Sequence, residues 1–175
     1  MTNQERLRNR ISGLTKELEQ QVKETAIIVA LLGSSGLGLQ QRRLLAHALS
    51  TMGIVAIVPE DDFPKELAPS LIEKSMFSKG DVELIFVNVD SWGSLTEFAQ
   101  FHAHKKIAPK LRVLINHLFH PLYGTCAGYL TDLYLTHEAV FGHTYAVDDN
   151  SGSFPSSKTI VTKLAERYKE WKSLS

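Results

Sequence analysis

Five short apolar runs recur along the chain, at residues 26–32, 54–58, 84–89, 111–115 and 139–147, and helical or polar segments separate them. None reaches the length of a membrane span, and none alternates cleanly between apolar and polar, so each reads as a strand buried on both faces. Such strands belong to parallel sheets, where a crossover, usually helical, must join one strand to the next. The pattern predicts an α/β fold: a Rossmann-like, doubly wound, mainly parallel five-stranded sheet with helices on both faces. No repeat, linker or low-complexity tract interrupts the 175 residues. A single α/β domain is expected over 1–175, with an N-terminal amphipathic helix, a core over 26–147 and a C-terminal helix at 155–174.

Leu7, Ile11, Leu14, Leu18 and Val22 recur at three- and four-residue steps, which predicts a helix over residues 2–24. Its narrow apolar seam is expected to dock on the domain or, alternatively, on a second subunit in a homo-oligomer. A helix over 39–52 turns Leu44, Leu45, Ala48, Leu49 and Met52 inward, and Gly53 stops it. Residues 59–64 read as a polar loop, and Pro69 opens a helix running to about Ser78. Residues 95–105 and 129–135 also have helical spacing, Gly142 is expected as an irregularity in the fifth strand, and a closing helix after Pro155 turns Ile160, Val161, Leu164, Tyr168 and Trp171 inward.

Charge and cysteine usage exclude several functions. Lys+Arg and Asp+Glu are both 19 and no basic stripe stands out, so binding to nucleic acid through its phosphates is not expected. The single cysteine, Cys126, has no internal partner, and the N-terminus is polar, which together predict a cytoplasmic protein with no membrane association.

Two clusters lie where strands run into helices. Gly33-Ser34-Ser35-Gly36-Leu37-Gly38 follows the first strand and opens a helix. Glycines let a ligand approach the backbone, and free N–H groups at a helix start suit a phosphate, so Gly33, Ser34, Ser35 and Gly36 are candidate ligand contacts. The spacing is neither a Walker A loop nor the GxGxxG fingerprint. The second cluster, Asp90-Ser91-Trp92-Gly93-Ser94-Leu95-Thr96-Glu97, follows the third strand, at the sheet edge where open α/β sheets bind ligands. Glu97 is expected in the first helical turn, where the macrodipole favours its ionised form. An ionised carboxylate there suits a nucleophile or a stabiliser of an oxocarbenium-like sugar. The alternative is purely local, with Ser94 as N-cap and Glu97 as its capping-box partner.

The stretch Gly93-Ser94-Leu95-Thr96-Glu97, after Ile85-Phe86-Val87-Asn88-Val89, resembles the G-[ST]-x-x-E motif of nucleoside 2-deoxyribosyltransferase-like proteins. It is also similar to the G-T-x-x-E core of the lysine-decarboxylase-like family that releases cytokinin bases from their ribotides. More distantly it resembles TIR domains, although Trp92 and Glu97 stand one residue further apart than in their W-C-x-x-E pattern. The ribotide-cleaving family has two glycines where this chain has Ser91 and Trp92, and an upstream Arg where it has Lys74. The resemblance implies a nucleoside or nucleotide as small-molecule partner and cleavage or transfer of its N-glycosidic bond. It implies Glu97 at the sugar C1′, Asp90 near the sugar hydroxyls or base, and Gly33 to Gly36 with Gly93 and Ser94 near the 5′ end; Ser91 and Trp92 are candidates in the same turn. A domain of this fold that senses nucleotides or binds proteins without turnover is the alternative.

Other candidates lie on the same edge. Asn116 and His117, in the loop after the fourth strand, are candidate base or sugar contacts, and Asp61 in Glu60-Asp61-Asp62 is a candidate for ribose hydroxyls. His117-x-x-His120 with Cys126 matches no closed zinc pattern, so neither a metal nor another cofactor is expected.

Overall fold

The computed structural model describes residues 2–175. Five strands, β1 (Ile27–Leu32), β2 (Ile54–Ile57), β3 (Val82–Val89), β4 (Leu111–Asn116) and β5 (Thr144–Val147), form one parallel sheet in the order β2-β1-β3-β4-β5. The helices are α1 (Asn3–Glu24), α2 (Leu37–Ser50), α3 (Pro59–Asp62), α4 (Pro69–Lys79), α5 (Trp92–His102), α6 (Tyr129–Phe141) and α7 (Ser157–Leu174). This is the predicted Rossmann-like α/β architecture.

The two-residue period of a strand divides the core into two layers. Val29, Leu31, Leu84, Phe86 and Leu114 face α2 and α7, meeting Leu45, Leu49, Val161 and Ala165. Their neighbours Ala30, Leu32, Ile85, Val87, Val113 and Ile115 face α4, α5 and α6, meeting Phe77, Phe98, Phe101 and Tyr134. Apolar runs without alternation are the signature of strands covered on both sides, and both sides are covered here. The chain winds outward to β2 from one side of β1 and to β4 and β5 from the other side of β3. The strand order therefore reverses between β1 and β3, leaving a crevice above their carboxyl ends.

Several local expectations are corrected. Helix α5 begins at Trp92, three residues earlier than the spacing suggested, because Ser91 and Ser94 form a reciprocal capping box; it ends at His102, with Ala103 as its C-cap. Residues 139–141 belong to α6 and not to the fifth strand; Gly142, at φ 68° and ψ 27°, ends the helix in the left-handed region. The polar loop after β2 contains the short α3, whose Pro59 occupies the first turn. Leu44 is 72% and Trp171 60% exposed, so neither points inward. Helix α1 forms as expected but buries no residue; it contacts α7, and its seam faces solvent. No helix among the described residues is long and apolar enough to cross a membrane.

Candidate functional site

Two adjoining cavities open above the carboxyl edge at the β1/β3 reversal. The first, of about 290 Å³, lies on the α2/α7 side, with Leu31, Phe86, Leu114 and Val161 as its apolar wall and Ser34, Asn88 and Lys158 among its polar groups. The second, of about 670 Å³, extends over β3 and β4 beneath Trp92, Asn116, Phe119 and Tyr134. Gln41, Asn88, Asp90 and Asp149 line both, so the two form one continuous crevice. Its combination of apolar walls and a few convergent polar groups is that of a small-molecule site.

The glycine loop is fastened to β3. Ser34 donates from its N–H to Asp90 Oδ1 at 3.1 Å and from its hydroxyl to Oδ2 at 3.0 Å, while Asn88 Nδ2 donates to the same Oδ2 at 3.1 Å. Asp90 thus serves first as the bridge between two strand ends. Gly36 caps α2 without a side-chain bond, leaving the start of that helix without a side-chain cap. Gly38, which lines the first cavity, is demanded by close approach: a Cβ there would stand 2.1 Å from Ser34 Oγ.

Beneath the loop lies Arg42, whose side chain is 9% exposed. Its guanidinium donates to the carbonyls of Leu31, Gly33 and Ser34 and makes a two-pronged bond to Glu60, at 2.8 and 2.6 Å. Burial pushes the Glu60 carboxyl upward, but its bonds to Arg42 outweigh this and hold it below the ordinary carboxylate range. Arg42 recurs with Leu45 and Leu49 at three- and four-residue steps on the inward face of α2. That spacing was the available signal for a buried cation at the site, and the motifs alone missed it.

Glu97 departs from its expected electrostatics. It lies in the second turn of α5, and Ser91, not Ser94, is the N-cap, so Glu97 is neither a capping partner nor a first-turn anion. Burial, with added repulsion from Glu73 and Glu60 and against the attraction of Arg42, pushes its carboxyl up to about 8. Glu73, buried on α4, is pushed up to about 7 by burial and by Glu60. At neutral pH Glu97 is therefore mainly a neutral acid, and its buried Oε2 has no hydrogen-bond partner. A group so held can donate a proton, the opposite of the ionised state expected from a helix start.

The crevice gathers some of the sequence candidates and not others. Gly33 and Ser34 line the first cavity, Ser91, Trp92 and Asn116 the second, and Asp90 both. The exposed Ser35, Gly36 and Gly93 line neither, and the half-buried Glu97 lines neither. Ser94 is fully buried, with its hydroxyl accepting from the N–H groups of Asp90 and Ser91, so it shapes the turn instead of meeting a ligand. Asp61 is engaged by Arg43 in a two-pronged ion pair, and Asp62 accepts from the Val58 N–H. His117 stacks on Phe154, with its Nδ1 3.9 Å from Asp148 Oδ2. His120 uses both ring nitrogens within the protein, with Leu122 N–H and the Thr144 hydroxyl.

Besides Arg42, sequence reasoning missed Gln41, Asn88, Asp149 and Lys158. Asn88 carried a signal, being the one polar side chain in the apolar run of β3. Asp149 accepts from the N–H and hydroxyl of Ser157, fixing the start of α7 at the crevice, a contact between segments that no local pattern marks. No known protein family matches the chain, and no curated protein matches it either.

Proposed function

We propose that the protein binds a nucleoside or nucleotide in the β1/β3 crevice and cleaves or transfers its N-glycosidic bond, with Glu97 as the acting carboxyl. The observation that carries this reading is a carboxyl with a buried, unpartnered oxygen on α5, the helix whose Trp92 and Leu95 line the crevice at the sheet's carboxyl edge. The start of α2, which no side chain caps, and Lys158 suit a 5′ phosphate, the exposed ring of Trp92 offers a stacking face, and Asp90 and Asn88 offer acceptor and donor for sugar hydroxyls. The likeness of Gly93-Ser94-Leu95-Thr96-Glu97 to nucleoside 2-deoxyribosyltransferase-like and ribotide-cleaving proteins supports the same chemistry. In the step proposed, neutral Glu97 gives its proton to the departing base nitrogen as the bond electrons leave with the base. The resulting carboxylate faces the cationic sugar carbon, and water, or an acceptor base in a transfer, adds there and returns a proton to Glu97.

A second reading, nucleotide sensing without turnover, is favoured by one observation: Glu97 lines neither cavity. The two separate in one experiment, incubation with nucleosides, nucleoside monophosphates and NAD followed by chromatography of released base and by thermal shift. Base release that Glu97→Gln abolishes supports catalysis, whereas stabilisation without release in either protein leaves sensing. No stabilisation and no release across the panel refutes both.

A further inference from the structure

Helix α1 presents an apolar seam that remains exposed among the described residues. Leu7, Ile11, Leu14 and Leu18 are 58, 54, 50 and 45% exposed, and Val22 is the one α1 residue that is not exposed. A helix of this length, with Gly13 in its middle and no buried face, is marginal in water by itself. The spacing of four, three and four residues is that of heptad positions d, a, d and a, the narrow seam by which two helices pair.

The flanking charges select the partner and its direction. With Leu7 and Leu14 at d and Ile11 and Leu18 at a, the g positions hold Asn3, Arg10, Glu17 and Glu24, and the e positions hold Arg8, Thr15 and Val22. Parallel pairing sets each g residue against the e residue of the next heptad, here Arg10 against Thr15 and Glu17 against Val22, with no ion pair. Antiparallel pairing sets g against g, and two-fold symmetry then matches Arg10 of each copy with Glu17 of the other. The same register stacks Leu7 on Leu18 and Ile11 on Leu14, twice each, and aligns Gln4 with Gln21 at the two ends. Neither Arg10 nor Glu17 is engaged by another side chain among the described residues. Each helix joins its domain after Glu24, so antiparallel pairing holds the two sheets at opposite ends of the helix pair.

We propose that α1 is a dimerisation element, binding α1 of a second copy of this chain as an antiparallel pair sealed by Leu7, Ile11, Leu14 and Leu18 and registered by two Arg10–Glu17 ion pairs. Four apolar layers make a small interface, of the class that forms weakly and reversibly. The proposal is independent of any activity at the crevice.

Sedimentation velocity of the full chain at low salt, from about 10 to about 500 µM, covers the range of a weak pair. A concentration-dependent dimer is expected. Leu14→Glu should abolish it, as should Arg10→Glu and Glu17→Arg singly, each of which opposes like charges; R10E combined with E17R should restore it. All three substituted side chains, Arg10, Leu14 and Glu17, are solvent-exposed, so far-ultraviolet circular dichroism should keep its sheet signature in every variant. A monomer at every concentration overturns the proposal, as does a dimer that survives L14E. A dimer indifferent to the single charge changes, or not restored by the double exchange, overturns the antiparallel register.

Discussion

Replacing Glu97 with Gln tests the electrostatics on which the site rests. In the folded protein burial holds this carboxyl up at about 8, whereas an unfolded chain returns it to the ordinary 4.5. Between those values the folded state keeps a proton that the unfolded state has released, so stability declines as pH rises. The contribution is intact below pH 4.5 and has been lost once pH passes about 8, the reverse of a salt-bridged carboxylate. At about 1.4 kcal/mol for each tenfold change, the interval sets a ceiling of roughly 5 kcal/mol. The side chain is half-buried, and solvent screening lowers the expected loss to roughly 2–3 kcal/mol. Urea unfolding at pH 5 and pH 8 reads it directly. Wild type should lose about that much more stability over the interval than Glu97→Gln, whose neutral amide has no proton to give. Glu73, pushed up to about 7, leaves a smaller slope in the single variant that E73Q/E97Q should remove. Parallel behaviour of wild type and E97Q, or a Glu97 carboxyl that titrates near 4.5 by carbon NMR, would refute the reasoning.

Two further outcomes test the scaffold beneath the crevice. Phe98 is fully buried against Tyr134 at 5.1 Å and His137 at 5.8 Å, so Phe98→Ala should cost about 3–5 kcal/mol in chemical denaturation; a loss below about 1 kcal/mol would show that α5 is not anchored there. Gly142→Ala should cost about 1–2 kcal/mol through its left-handed backbone, since the nearest atom to the new Cβ is Glu138 O at 4.0 Å and no clash adds to it. An unchanged midpoint would argue that α6 ends differently.

The repeated apolar runs determined the fold class, because only a sheet covered on both faces can bury strands without alternation, and parallel strands require the helices between them. The same reasoning located the glycine loop and the Asp90 turn at the carboxyl edge, since each stands between a strand and a helix. Boundaries fell where caps compete: Ser91 captured the start of α5 from Ser94, and Gly142 allowed α6 to absorb three residues of strand-like composition. Ionisation of Glu97 was beyond local reading. Its neighbours Glu60, Glu73 and Arg42 come from three other helices, and desolvation depends on what surrounds a side chain, not on what precedes it. The sequence by itself also marked the α1 seam as a surface in need of a partner. Only the tertiary structure decided that the domain does not supply one, because burial is a property of the assembled chain, and in this assembly Leu7, Ile11, Leu14 and Leu18 remain open to water while Val22 does not.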